Sequence, residues 1–360
     1  MKKLLVLLIL LIPFNVSAFG SSAKGAILMD IDSGRVIYAK DAHYVQSVAS
    51  ISKIMTAIVA IENADIDKKV IIGNEVLKAY GSGIYVKKGE EITIKDLLYG
   101  LMLRSGNDAA LAIAYHTCLD VDKFVDLMNK KASELGMSDT TFNNPSGLDE
   151  GDAKGNISSA YDMAILMSYA MKNSIFRKIV ETKSHVVKTN KNVYKWRNKN
   201  KLLFSYKYTT GGKTGFTKKA KRTLVTTASK DDLNLTVVTI NDGNDWADHK
   251  ALYEEAFKKY QSFTILNKGT ISILGENYYK NSRLYLKESY KYPLLNSEKD
   301  IVNLKFSLEK KRNYKDGVKV GNVVVYLGDK KTHTQNIYVD KKKKIDSGFI
   351  NSFTKWFKND

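Results

Sequence analysis

Ser50-Ile51-Ser52-Lys53, running straight into Ile54-Met55-Thr56-Ala57-Ile58-Val59-Ala60-Ile61, is the stretch on which the reading of this chain turns. A helix that begins near Ser50 places residues 50 and 53 on one face, with an amine in reach of a hydroxyl. A serine becomes a nucleophile when a neighbouring base takes its proton. A lysine serves as that base when burial or a second cation lowers its pKa. The apolar run after Lys53 supplies the burial. Ser-x-x-Lys also occurs at Ser21 and Lys24, Ser307 and Lys310, and Ser352 and Lys355, so this spacing alone does not single out residue 50.

Outward from this stretch, residues 26–31 and 35–39 flank Asp32-Ser33-Gly34 with strand, turn, strand chemistry. A helix expected over residues 94–103 breaks at Arg104-Ser105-Gly106-Asn107-Asp108 before the apolar period restarts at Ala109. A polar break between two buried helices can aim a side chain into a cleft. Asn144-Pro145-Ser146-Gly147-Leu148 reads as a turn, and Ser159-Ala160-Tyr161-Asp162 has the spacing of a cap opening a helix to about Met171. Gly211-Gly212-Lys213-Thr214-Gly215 then precedes expected strands at 223–227 and 235–240 and an amphipathic helix at 247–260. Sheet hairpins thus bracket a helical middle. A phosphate loop needs a glycine where Lys207 stands and a helix rather than strands after the triplet, which excludes nucleotide binding here.

The chain has 360 residues, 44% hydrophobic and 26% charged, enough for two domains. Residues 1–18 combine Lys2-Lys3, an apolar core and Val16-Ser17-Ala18, the composition of an export signal cleaved before Phe19. Cys118 is the only cysteine, so no disulfide forms within the chain. The net charge of +19 comes from lysines scattered through both halves. In an exported protein this points to an anionic wall or lipid surface, not to nucleic acid. Beyond Ser262 the pattern changes to short strands near 283–287, 304–308, 318–327 and 335–339, a small β-sandwich over 263–340 after a unit spanning 19–262. The tail, 341–360, opens with four lysines and gathers Ile345, Phe349, Ile350, Phe353, Trp356 and Phe357 on one helical face. Such a segment is too short to span a bilayer but suited to lie in its interface.

Ser50-x-x-Lys53, Ser105-Gly106-Asn107 and Lys213-Thr214-Gly215 stand in the order of a trio that marks penicillin-binding proteins and class A β-lactamases. With the surrounding SVASISKIMTA, GLMLRSGNDAALAIA, NPSGLD and GGKTGFTKKA, the stretch from about residue 26 to 240 resembles the low-molecular-mass penicillin-binding proteins that are D-alanyl-D-alanine carboxypeptidases. The resemblance implies an α/β (α+β) transpeptidase-like catalytic domain, its antiparallel sheet flanked by helices, followed by a small all-β domain. It implies a nucleophile Ser50, a base Lys53, and Ser105, Asn107 and Lys213 as further catalytic groups. Thr214, Gly215, Phe216 and Lys199 would bind substrate, with the Ser50 and Phe216 N–H groups as an oxyanion hole. The implied substrate is a peptidoglycan stem peptide ending in D-Ala-D-Ala, with β-lactams as acylating inhibitors and no cofactor or metal. Lys199 stands where some relatives have arginine, Lys221 where a glycine is frequent, and Ser146 where many have histidine or asparagine. Three readings remain beside it: an endopeptidase on cross-links, a β-lactamase and a non-catalytic wall-binding scaffold. Against the β-lactamase, this chain has no Glu-x-x-Leu-Asn stretch between Asn107 and Lys213 to activate a deacylating water.

Overall fold

Apolar and β-branched strands at both ends of the first 260 residues build one antiparallel sheet in a computed structural model that describes residues 20–149 and 155–341. The strands run Val36–Lys40, Gly25–Asp30, Leu233–Ile240, Lys221–Lys230 and Thr209–Thr217, in that spatial order. Gly25–Asp30 is buried along its whole length, because both faces are covered. Ile27 and Met29 point into one core with Val238 and Ile240, while Leu28 points into a second with Leu235 and Val237. Helix Asp245–Lys259 closes the second face through Leu252, Tyr253 and Ala256. Buried His249 on that helix is bonded to Thr226 and Thr239. Burial lowers its pKa to about 3, so it acts as a neutral spacer between helix and sheet.

The helical middle covers the other face. Helices Lys53–Asn63, Asn107–Cys118 and Ala160–Ala170 contribute about a third of that core, Ser159 capping the last by accepting from the Asp162 N–H at 3.2 Å. Two local details differ from the sequence expectation. Ser50 lies in a 3₁₀ turn, Ala49–Ser52, and the α-helix starts only at Lys53. The helix expected over 94–103 is α-helical only over Ile94–Tyr99 and widens into a π turn at Gly100–Arg104, a departure that ends on left-handed Ser105.

Strand Tyr260–Leu266 follows helix Asp245–Lys259 without a linker and runs across the change of organisation expected at Ser262. It pairs with Tyr290–Leu295. A five-stranded antiparallel sheet holds Gly269–Thr270, Ser282–Leu286, Lys330–Lys341, Val318–Leu327 and Val302–Leu308 in that order. Both sheets share one core, including Leu266, Tyr292, Val320, Val323 and Ile337. Arg35, beyond the first hairpin turn, fastens the two units. Its guanidinium donates to Glu298 and to the Pro293 carbonyl at 2.6 Å and lies over the rings of Tyr260 and Tyr292. Among the described residues no helix is long and apolar enough to cross a membrane. The expected export signal and all of the tail after Lys341 lie outside the described residues.

Candidate active site

The cleft lies where the sheet's last strand, Thr209–Thr217, meets the start of helix Lys53–Asn63 and the polar break at Ser105. The 3₁₀ turn, entered through left-handed Ala49 (φ 51°), lifts Ser50 to a half-buried position. Lys53, one turn on, is 0% exposed. Its ammonium group donates to Ser50 Oγ at 3.0 Å, to Asn107 Oδ1 at 2.7 Å and to the Ser146 carbonyl. Burial first, and then the charge of Lys199, lower its pKa to about 7, opposed by Asp108.

Ser105 and Asn107 reach the cleft because the π turn stops abruptly. Ser105 takes φ 64°, so its Oγ faces the sheet, where it accepts from Lys213 Nζ at 3.0 Å. Lys213 is 1% exposed and also donates to the Thr214 carbonyl. Burial, joined by the charge of Lys53, holds it well below an ordinary lysine. The two buried amines therefore share charge, and holding one neutral near pH 7 is the cheaper state.

Gly215 allows the strand to approach the nucleophile. A Cβ there would stand 3.1 Å from the backbone nitrogens of Ser50 and Ile51 and 2.3 Å from Thr223 Oγ1. Thr214 is half-buried beside it, and Phe216 is 65% exposed on the rim. Lys199 sits on the opposite wall, exposed, with its amine 3.3 Å from Ser82 Oγ and its pKa lowered by desolvation and then by Arg104. The structure thus brings all nine sequence-predicted residues around one cleft: Ser50, Lys53, Ser105, Asn107, Lys213, Thr214, Gly215, Phe216 and Lys199.

Two contributors were not singled out from sequence. Asp108 is 6% exposed and its carboxylate accepts from the Ile84, Tyr85 and Ala109 N–H groups at 2.6–3.1 Å. Asn107 extends the same staple, its N–H donating to the Ser82 carbonyl and its amide to that of Tyr80. Together they hold residues 80–85 over the cleft. An acid directly after Asn107, at a helix start, was the available signal. Ser146 was read as part of a turn and as a departure from relatives, not as a partner of Lys53, yet its carbonyl anchors that amine. Gly147 beside it, at φ 75°, would press a Cβ to within 2.0 Å of the Ala49 carbonyl.

Gly147→Ala is therefore expected to cost roughly 2–4 kcal/mol through steric overlap plus left-handed strain. Gly34→Ala, at φ 73° with nothing within 4 Å, is expected to cost about 1 kcal/mol from strain alone. Urea midpoints of the two variants check the contrast.

Two family models match the chain: D-alanyl-D-alanine carboxypeptidase over residues 13–244, and the penicillin-binding protein 5 C-terminal domain over residues 260–344. D-alanyl-D-alanine carboxypeptidase DacF of Bacillus subtilis is 36% identical over 258 residues, spanning 66% of this chain and 66% of its own length. DacB2 of Mycobacterium tuberculosis, of the same description, is 34% identical over 60% of this chain and 73% of its own. Penicillin binding protein 5 from Haemophilus influenzae superposes with a TM-score of 0.74 at 26% identity, covering 90% of this chain and 98% of that one. The D-alanyl-D-alanine carboxypeptidase structure from M. tuberculosis gives 0.63 at 31% identity over 66% of this chain and 92% of its own.

Proposed function

The chain belongs to the D-alanyl-D-alanine carboxypeptidase family, and on that premise we propose that it removes the terminal D-alanine of peptidoglycan stem pentapeptides through an ester to Ser50. The observation that carries this reading is a fully buried lysine, its pKa lowered to about 7, with its amine 3.0 Å from a serine hydroxyl. In the neutral form Lys53 takes the Ser50 proton as Oγ adds to the carbonyl carbon of the D-Ala-D-Ala bond. The N–H groups of Ser50 and Phe216 meet the oxyanion. The proton passes through Ser105 to the leaving D-alanine nitrogen, the C–N bond breaks, and water then hydrolyses the ester. Asn107 holds Lys53 and the substrate amide, while Lys213, Thr214 and Lys199 receive the terminal carboxylate. The same chemistry opens a β-lactam ring and leaves the penicilloyl ester on Ser50.

The unit from residue 19 to about 259 carries this chemistry, and the residues from strand Tyr260–Leu266 to 340 form the β unit. Cleavage of an export signal after residue 18 and attachment to an anionic membrane by residues 341–360 belong to the same proposal. They rest on the composition of those segments and place the enzyme on the outer face of the cytoplasmic membrane, in wall maturation. Truncation after Asp340 is expected to release the protein into the soluble fraction. A truncated protein that binds membranes as tightly as the full-length chain would refute the tail assignment.

Release of free D-alanine from a pentapeptide tests the activity. Cleavage of cross-linked dimers without D-alanine release would assign the site to an endopeptidase instead. kcat/KM is expected to rise with pH through a midpoint near 7 as Lys53 loses its proton. Lys199→Gln removes a nearby positive charge, so the protonated amine becomes easier to keep and the midpoint moves upward, while KM for the free carboxylate rises. An unchanged midpoint would remove Lys199 from the electrostatics of the site.

A further inference from the structure

The end of the β unit from which the chain departs carries two chemistries side by side. Strand Lys330–Lys341 finishes there, with Lys341 paired to Ser282 and Val339 to Val318. Strand Gly269–Thr270, paired with Leu286 and Tyr285, points residues 271–281 at the same end. Residues 309–317 are fastened against them. The Tyr279 hydroxyl donates to the Glu309 carbonyl and accepts from the Lys311 N–H at 3.0 Å, the Ser282 and Tyr314 hydroxyls are bonded to each other, and the Lys341 N–H donates to Asp316 at 2.6 Å.

On this end Leu274 is 100% exposed and Tyr278 41% exposed. Lys280, Lys310, Arg312, Lys315 and Lys341 are exposed around them, and among the described residues none of the five forms a salt bridge. The acids at this end are largely engaged. Asp340 pairs with Arg283, Glu309 with Lys311, Glu276 accepts from the Tyr278 and Tyr279 N–H groups, and Asp316 from Lys341. The sequence continues as Lys342-Lys343-Lys344.

A single exposed leucine is ordinary. What distinguishes Leu274 is its company: an aromatic neighbour, unpaired cations on the same end, and the exit of the chain toward a lysine run. We propose that this end of the β unit is a docking tip for an anionic phospholipid surface, with Leu274 and Tyr278 entering the interface and the five cations facing head-group phosphates. An anionic wall polymer would satisfy the cations but has no use for the apolar pair. The proposal rests on the membrane-attachment reading of residues 341–360 and adds a second point of contact. Two points of attachment would fix the orientation of the β unit, where a tail alone leaves it free to tumble.

The test uses the full-length chain with Cys118→Ala and Leu274→Cys, the new thiol carrying an environment-sensitive fluorophore. On vesicles containing phosphatidylglycerol the dye is expected to shift to the blue and brighten at least about twofold, with no response on phosphatidylcholine alone. In the unlabelled chain, Lys310→Gln, Arg312→Gln and Lys315→Gln together are expected to raise the lipid needed for half-binding at least about tenfold. Co-sedimentation with an unresponsive dye and a triple variant that binds like the parent would overturn the tip and leave the tail reading standing. No co-sedimentation at all would overturn both. Binding to a teichoic-type wall polymer, with the dye silent on vesicles, would assign the cations to that polymer and overturn the lipid proposal.

Discussion

Ser50→Ala protein is expected to release D-alanine at least about 10⁴-fold more slowly than the parent and to form no covalent adduct with a penicillin. The change removes one oxygen from a half-buried position at the cleft and leaves the sheet and the Lys53 helix core intact. Its circular dichroism and urea midpoint should therefore match the parent, separating a chemical loss from a folding loss. Lys53 keeps two other acceptors, Asn107 Oδ1 and the Ser146 carbonyl, so the amine remains anchored without its nucleophile. Residual turnover within tenfold of the parent would mean that another group forms the ester.

Replacement of Lys213 by methionine is the second large effect, an expected loss of about 10³-fold in kcat/KM. The methionine fills the same buried space but cannot donate to Ser105 Oγ, nor can it meet a carboxylate. Removing one of two buried amines also lets the other hold its proton more easily. The rising limb of the pH profile then moves above 7, away from the value near which Lys53 is held in the parent. Lys213→Arg is not expected to rescue. A guanidinium stays charged in a site that lowers the pKa of its lysine by burial, and it is bulkier than the buried ammonium that sits 3.0 Å from Ser105 Oγ. Acylation by a fluorescent penicillin, followed as a second-order rate across pH, reads both effects. A Lys213→Met protein with the parent's rate and midpoint would place the ammonium outside the reacting centre.

How much of this was legible in the sequence varies with how local the signal is. The hairpin at residues 26–39 and the strands around 223–240 declare themselves, because short runs of apolar and β-branched residues and an Asp-Ser-Gly turn need no partner to be recognised. Ser50, Ser105 and Lys213 could be grouped because Ser-x-x-Lys, Ser-Gly-Asn and Lys-Thr-Gly stand in the order of a trio that marks one group of serine enzymes. Their separation in space was not legible: Lys53 and Asn107 are 54 residues apart, Lys213 and Ser105 are 108, and only the sheet's antiparallel closure brings them together. Strands Tyr260–Leu266 and Tyr290–Leu295 escaped the same reading. The first continues a helix without punctuation, and the second carries Pro293, which argues against a strand except at an edge. Hairpin Ser184–Lys188 with Val193–Arg197 escaped because only Val187 and Trp196 turn inward, too few apolar positions to show a period. Asp108 was passed over for a related reason. A carboxylate next to a helix start reads as a surface charge, and only the fold supplies the three N–H groups that make it a fixture of the cleft.

The π turn at Gly100–Arg104 ties sequence to function most tightly. One residue more than an α-helical turn ends the helix with Ser105 in the left-handed region, turning its hydroxyl to Lys213 while Asn107 opens the next helix toward Lys53. Gly100 itself is closely packed, since a Cβ there would lie 2.8 Å from Ile84, so the residues that cover the cleft also fix the turn that builds it.

The account stands on Ser50 being the residue that carries the acyl group. The direct measurement is to incubate the folded full-length chain with benzylpenicillin, digest with trypsin and sequence the modified peptide by tandem mass spectrometry. The peptide covering residues 41–53 contains Ser47, Ser50 and Ser52, so fragment ions distinguish the candidates. A penicilloyl group on Ser50 alone, absent from Ser50→Ala protein, is the predicted result. An adduct on Ser47, Ser52 or another peptide, or no adduct on protein shown to be folded, would contradict it.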